Sequence, residues 1–285
     1  MALVSMDQIL VGARREKRAV GGFAVWSYDS AYAIAMGAKK LNLPVVLING
    51  EFEAGYMGGF ENVRQLVERI AETVEIPIVL HADHFRDLSS IIRAMDAGYT
   101  SVMIDGSRLP LEQNISLTRK VVEVAKARGV SVEGELGRLA GNEGDEDVTE
   151  EEAFQTDPEE AAYFVERTGV DCLAVAIGTV HGAYRFAPKV NITRLQRIAE
   201  KVRVPLVMHG GSGTPEDKIA EAIESGIAKI NVATDLVTIT ARKIAEVQVA
   251  RGFRYNVSSV YEAAREACQA AVEHKMRLFS NSLQP

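Results

Sequence analysis

Cysteine is scarce in this chain. Cys172 and Cys268 are the only two in 285 residues, and they form no CxxC pair. That excludes a disulfide framework and a thiolate metal cluster, so a metal site would have to use His and carboxylates. Positive charge is also in deficit, with 32 Lys and Arg against 39 Asp and Glu. Without clustered cations to neutralise phosphates, nucleic-acid binding is not expected. A small anion remains a possible ligand, because local backbone dipoles can outweigh net charge. No stretch approaches the roughly 18 apolar residues of a membrane helix, so no membrane partner is expected. The opening MALVSMDQILVGARREKRAV lacks a long apolar run behind a basic patch and does not read as a signal peptide. A cytoplasmic location is expected. There is no low-complexity linker, and no GxGxxG follows the first apolar run.

Short apolar runs are abundant. They fall at 20–25, 44–48, 77–81, 101–104, 130–132, 172–177, 204–208 and 228–232. Rich in Val, Ile and Leu, they read as buried parallel strands covered on both faces. The segments between them carry helical stripes. Val63, Leu66, Val67 and Ile70 follow i, i+3, i+4, i+7 spacing, and Leu88, Ile91, Ile92 and Met95 repeat it. Gly98, Gly129, Gly169 and Gly226 stand just beyond four such helices, where a left-handed cap is wanted. Thr156-Asp157-Pro158 places a cap and a first-turn proline ahead of another helix.

Strand–helix repeated eight times predicts an α/β fold, a (β/α)8 TIM barrel, as one domain over residues 1–285. An N-terminal helix and an extra C-terminal helix are expected, the last over about 258–279, outside the barrel or on a partner subunit. A doubly wound open sheet is the rival. The longest irregular stretch, 137–156, reads as a lid or binding loop.

The polar residues cluster behind the apolar runs, in His81-Ala-Asp83-His84, Asp105-Gly-Ser107, Glu133-Gly-Glu135, His181-Gly182, His209-Gly-Gly211-Ser212-Gly213 and Asn231-Val-Ala-Thr234-Asp235. The carboxyl ends of barrel strands carry the active site. Three histidines on separate strands, His84, His181 and His209, therefore point to one metal ion, and neutral imidazoles suit zinc. Strand alternation puts His81 and Asp83 on one face and His84 on the other unless the chain bends. His81 is read as a support for a ligand or a packing residue, and His274 as a solvated surface residue. Asp83 could serve as acid or base, or orient a neighbouring His. The glycines after His209, with Ser212, Asn231 and Thr234, read as an anion cradle.

LHADH, SVMIDGS, SVEGELGRLAGNEGD, AIGTVHGAY, VMHGGSG and KINVATDL, in this order over about 80–236, closely resemble class II (metal-dependent) ketose-bisphosphate aldolases. The branch with tagatose- and fructose-bisphosphate aldolases is nearest. The resemblance implies that His84, His181 and His209 hold catalytic Zn2+, with other divalent metals able to substitute. It implies Glu135 and Asp105 at an alternate or second metal position. Asp83 would act on the hydroxyl that becomes the aldehyde, and Glu143 would exchange the proton at the nucleophilic carbon of dihydroxyacetone phosphate. Gly182, Gly211, Ser212, Asn231 and Thr234 would cradle the C1 phosphate, near which some members bind a monovalent cation. The implied partners are a small sugar phosphate and further copies of the chain, as homodimer or homotetramer.

The first quarter departs from the family. GxFNVNN becomes Gly22-Phe23-Ala24-Val25-Trp26-Ser27, the Ser after strand two is replaced by the run Asn49-Gly50-Glu51, and the Asp-Pro-Arg near the C-terminus corresponds to Asn256-Val257-Ser258. Losing an Arg and a Ser and gaining Glu51 weakens a dianion site by roughly several kcal/mol. An atypical distal pocket around Trp26, Asn49 and Glu51 is expected, holding a sulfonate, a carboxylate, a hydroxyl or a differently held phosphate. Sulfofructose 1-phosphate and a 2-deoxy-5-keto-gluconate phosphate are concrete candidates. A standard tagatose- or fructose-1,6-bisphosphate aldolase is the alternative. A Schiff-base aldolase using Lys229 and a non-catalytic sugar-phosphate-binding barrel are the rivals of other classes.

Overall fold

The computed structural model describes residues 3–143, 146–148, 153–182, 188–252 and 256–281, and of 140–143, 146–148 and 181 the backbone alone. Eight parallel strands close into a barrel: β1 (Val20–Ala24), β2 (Val45–Asn49), β3 (Ile78–Phe85), β4 (Ser101–Ile104), β5 (Ser131–Leu136), β8 (Cys172–Val175), β10 (Leu206–Met208) and β11 (Ile227–Val232). Their order around the barrel is β1, β11, β10, β8, β5, β4, β3, β2. The open-sheet rival is thereby excluded, because β1 pairs with both β2 and β11.

Helices cover the outside: α2 (Tyr28–Leu41), α4 (Phe60–Val74), α5 (Leu88–Ala97), α6 (Leu111–Lys126), α7 (Pro158–Thr168), α8 (Ile192–Lys201) and α9 (Glu216–Glu224), with a short α3 (Glu51–Tyr56) after β2. The predicted stripe of α4 buries Val63, Val67 and Ile70. Each such burial is worth about 1.5–3 kcal/mol. Asp157 caps α7 by accepting from the N–H groups of Glu159 and Glu160, and Gly169 ends it at φ 70°. No helix of the described residues is long and apolar enough to cross a membrane.

The N-terminal helix α1 (Asp7–Arg15) closes the bottom of the barrel. Met6, Leu10 and Ala13 pack there against Val20, Val46, Val79, Cys172 and Val207. The C-terminal helix packs outside the barrel, as expected. Helix α11 (Val257–Phe279) packs on α2, α9 and β1, and Phe279 stacks on Phe23. It completes the ring, and α10 (Thr234–Ala250) is the outlying helix, burying only Leu236. The reason is that α11 carries an apolar stripe, Val260, Ala264, Cys268, Val272 and Met276, that α10 lacks.

The stretch 137–156 is not a structureless loop. Strand β6 (Ala140–Glu143) pairs antiparallel with β7 (Glu146–Val148) and parallel with β9 (Val180–His181), and Arg138 bridges Phe154. Two strand ends also lie beyond their expected positions. β3 continues past His81 to Phe85, and β5 continues to Leu136, so His81, Glu133 and Glu135 are strand residues rather than rim residues.

Candidate active site

The site starts from a backbone irregularity. Between Ala82 and Phe85, β3 advances three residues while β4 advances two, from Val102 to Ile104. The extra residue is a bulge, and His84 within it adopts φ 55°. Left-handed backbone at a residue with a side chain costs about 1–3 kcal/mol. The bend cancels the alternation that would send His84 outward, and it turns His84 into the barrel mouth beside Asp83.

His84 there meets His209, which follows β10. Their rings lie edge to face with centroids 4.6 Å apart. Glu135 stands between them, with Oε2 3.7 Å from His84 Nδ1 and Oε1 3.7 Å from His209 Nδ1. Asp105 Oδ2 is 3.8 Å from the same His84 nitrogen. Asp83 Oδ2 is 4.0 Å from His84 Nε2. One ligand atom from each of Asp83, His84 and His209 lies within 4.8 Å of the others, and the same is true of His84, Asp105 and Glu135. Two imidazoles with carboxylates on either side form a donor set that fits a divalent ion of borderline softness.

The third histidine is placed through its backbone. β9 runs beside Gly210, where a Cβ would come 2.4 Å from the Val180 carbonyl oxygen, so only glycine allows His209 and His181 to approach. The His181 side chain lies outside the described residues. So does that of Glu143, whose backbone ends β6, the strand that pairs with β9.

Beneath the mouth lies a buried polar network that pattern reading missed. Glu133 accepts from His209 Nε2 at 2.9 Å and from Lys229 Nζ at 2.7 Å. His81 Nδ1 is 2.8 Å from Ser101 Oγ, and its Nε2 is 3.4 Å from Asp83 Oδ1. Asp83 also accepts from Asn231 Nδ2 at 3.2 Å. Burial alone would raise the Asp83 pKa, but the charge of His84, the hydrogen bond from His81 and the charge of Lys229 hold it well below the ordinary carboxylate range. Burial opposes ionisation of Glu133 as well, and Lys229 followed by His209 outweighs it. Lys229 is raised: burial would lower it, but Glu133 and Asp83 prevail. The His81 imidazole is held neutral by burial and by the nearby Lys229 charge. Asp83 is thus an ionised carboxylate steered by its neighbours, an arrangement able to remove a proton.

The expected anion cradle is differently built. Ser212 Oγ accepts from the N–H groups of Ala233 and Asp235, both at 3.2 Å. The Gly211 N–H donates to the Asn231 carbonyl at 3.0 Å. Gly211 therefore serves by lacking a side chain, since a Cβ would meet Ile230 at 2.5 Å. The Asn231 amide turns towards Asp83 and away from this turn. Thr234 opens α10, and Gly182 is half-buried after β9. Lys275 on α11 holds Asp235 at 2.8 Å.

The distal pocket needs correction. Asn49 is 1% exposed, with its amide N–H donated to Val25 and its oxygen accepting from Tyr99. A side chain spent on both ends inside the core lines no pocket. Glu51 is exposed on α3, and Trp26 is half-buried, with its backbone N–H donated to Ser30 Oγ. Arg86, unremarked in the sequence, lies at the mouth with Nε 3.4 Å from Asp105. His274 is exposed as expected and meets Glu216 at 2.6 Å.

Known proteins match this arrangement along the whole chain. The family model described as fructose-bisphosphate aldolase class-II matches residues 4–284. The chain is 40% identical over 284 residues to a fructose-bisphosphate aldolase of Geobacillus stearothermophilus, covering 99% of this chain and 98% of that one. It is 41% identical over 286 residues to a probable fructose-bisphosphate aldolase of Bacillus subtilis (strain 168), covering 100% of both. The crystal structure of the YdjI aldolase from Escherichia coli K12 superposes with a TM-score of 0.86 at 31% identity, over 98% of this chain and 97% of that one. With the family model spanning nearly every residue, the chain belongs to the class II fructose-bisphosphate aldolases, a family of metal-dependent lyases.

Proposed function

We propose that the protein catalyses reversible retro-aldol cleavage of a ketose 1-phosphate to dihydroxyacetone phosphate and an aldehyde. The observation that carries this reading is Asp83, an ionised carboxylate 4.0 Å from His84 inside a cluster of imidazoles and carboxylates. In this reading His84, His181 and His209 hold Zn2+, with Glu135 and Asp105 as alternate or second-site ligands. The bound ion supplies Lewis-acid stabilisation of the charge that develops when the C3–C4 bond breaks.

Asp83 takes the proton from the C4 hydroxyl, held on line by His81 and Asn231. As the C3–C4 bond breaks, the aldehyde leaves and its electron pair remains on the three-carbon fragment. Glu143 then delivers a proton to C3. Gly182, Gly211, Ser212, Asn231 and Thr234, at the ends of β9, β10 and β11, receive the C1 phosphate in this reading, in a part of the barrel that often binds phosphate. A monovalent cation beside that phosphate belongs to the same proposal. So does a homodimer or homotetramer, for which exposed Val249, Val257 and Tyr261 on α10 and α11 offer apolar surface.

For the distal group we propose an anion held otherwise than in the standard bisphosphate enzymes, sulfofructose 1-phosphate being the candidate. The second reading, a fructose-1,6-bisphosphate aldolase, is favoured by the names of the relatives and by Arg86 at the mouth, a cation that a distal phosphate could use. Comparing kcat/KM for fructose 1,6-bisphosphate, tagatose 1,6-bisphosphate and sulfofructose 1-phosphate tests both. A clear preference for a bisphosphate sinks the atypical-pocket reading, and no aldehyde from any ketose 1-phosphate sinks the aldolase reading.

A further inference from the structure

We infer that Lys229 is a positioning residue of the metal centre, acting through Glu133 on His209. The inference rests on the reading of His209 as a metal ligand.

Lys229 projects from β11 into the barrel and is fully buried, as is Glu133 on β5. Two strands, β10 and β8, stand between β11 and β5 on the shorter path around the barrel, so the two side chains meet across the interior rather than along a pair of neighbours. Space for the lysine is built into β1, where a Cβ on Gly22 would press to 3.2 Å from Lys229 Cε. Lys229 Nζ binds Glu133 Oε2 at 2.7 Å, while Glu133 Oε1 accepts from His209 Nε2 at 2.9 Å. Cys172 Sγ also donates to Oε2 at 3.6 Å, but a thiol is a weak donor, and His81 Nε2 at 3.7 Å lies beyond hydrogen-bond reach, so Lys229 makes the strong bond to this oxygen.

A carboxylate tied at one oxygen cannot rotate without breaking that tie, so its second oxygen keeps its aim. That aim places the His209 proton on Nε2 and leaves the lone pair of Nδ1, on the side of Glu135 and His84, to bind a metal ion. Burying an ion pair in the core brings little stability compared with apolar side chains of the same volume. Its value here is orientation. The same bond explains why Lys229 is no Schiff-base lysine: its ammonium is sealed from the mouth and committed to Glu133.

The test measures Zn2+ affinity by competition with a chromogenic chelator, together with the visible spectrum of the Co2+-loaded protein and unfolding of the metal-free protein. His209→Ala is the reference for loss of a ligand. Lys229→Met is expected to lose about 10- to 100-fold in affinity and to alter the Co2+ spectrum. The double variant Lys229→Met/Glu133→Met leaves no unpaired buried charge, so it covers the case in which the single variant does not fold, and the same loss is expected. Wild-type affinity and spectrum in a folded Lys229→Met or double variant, even with altered metal-free stability, overturn the positioning role. Wild-type affinity in His209→Ala overturns the ligand reading and the inference with it.

Discussion

His84 and His209 face each other across the barrel mouth, edge to face at 4.6 Å, with each Nδ1 3.7 Å from a different oxygen of Glu135. Two imidazoles share one carboxylate because a bulge turns His84 inward and Gly210 frees the chain after His209. Both devices are backbone features, so the centre is set by strand geometry before any ligand arrives.

Dialysis against a chelator is expected to bring retro-aldol activity to background, and Zn2+ is expected to restore it. Borohydride with dihydroxyacetone phosphate should leave activity intact, since Lys229 is buried against Glu133. Activity that survives chelation while borohydride destroys it would reverse the assignment.

Asp83→Asn keeps the side-chain volume and removes the base. The expected loss in kcat is about 10²- to 10⁴-fold, with a much smaller change in KM. Asn231→Ala, which removes the donor 3.2 Å from Asp83, should cost less. Steady-state kinetics of the two variants check the ranking.

Gly210→Ala places a Cβ 2.4 Å from the Val180 carbonyl oxygen, at φ 70°. The backbone must shift, at about 1–3 kcal/mol, and β9 shifts with it. Zn2+ affinity should fall along with Tm, because His181 stands in β9. Chelator competition and thermal unfolding measure the two. A lower Tm with unchanged affinity would separate β9 from the metal centre.

Glu273 on α11 meets Lys40 on α2 at 2.7 Å. Burial would raise its pKa, but Lys40 and Gln269 together outweigh burial and lower it below the ordinary 4.5. A lowered folded-state pKa means that the unfolded chain takes up the proton first. The pair's contribution is therefore complete above pH 4.5 and is lost as pH falls through the lowered value. Lys40 is largely exposed, so Glu273→Gln should cost no more than about 1 kcal/mol at neutral pH. Denaturant titrations of both proteins should converge in acid and at high salt.

Much of this protein was legible locally. Apolar runs separated by helical stripes are decided by side-chain periodicity within a few residues, and they sufficed for the barrel. The grouping of His84, Asp105, Glu135 and His209 followed from that barrel, because strand ends on one rim converge wherever they lie in sequence.

Other features depend on residues far apart along the chain. Asn49 reads as a rim residue until Val25 and Tyr99, at separations of 24 and 50 residues, take both ends of its amide. Glu133 and Lys229 carry no local sign of each other, being 96 residues apart. A last helix over about 258–279 was expected from the sequence, but not that its buried face belongs to α2 and β1. The side on which His84 stands was undecided by alternation, since a single bulged residue inverts it. Periodicity is a property of neighbours in sequence, whereas burial, bulges and partner choice are settled only when the barrel closes.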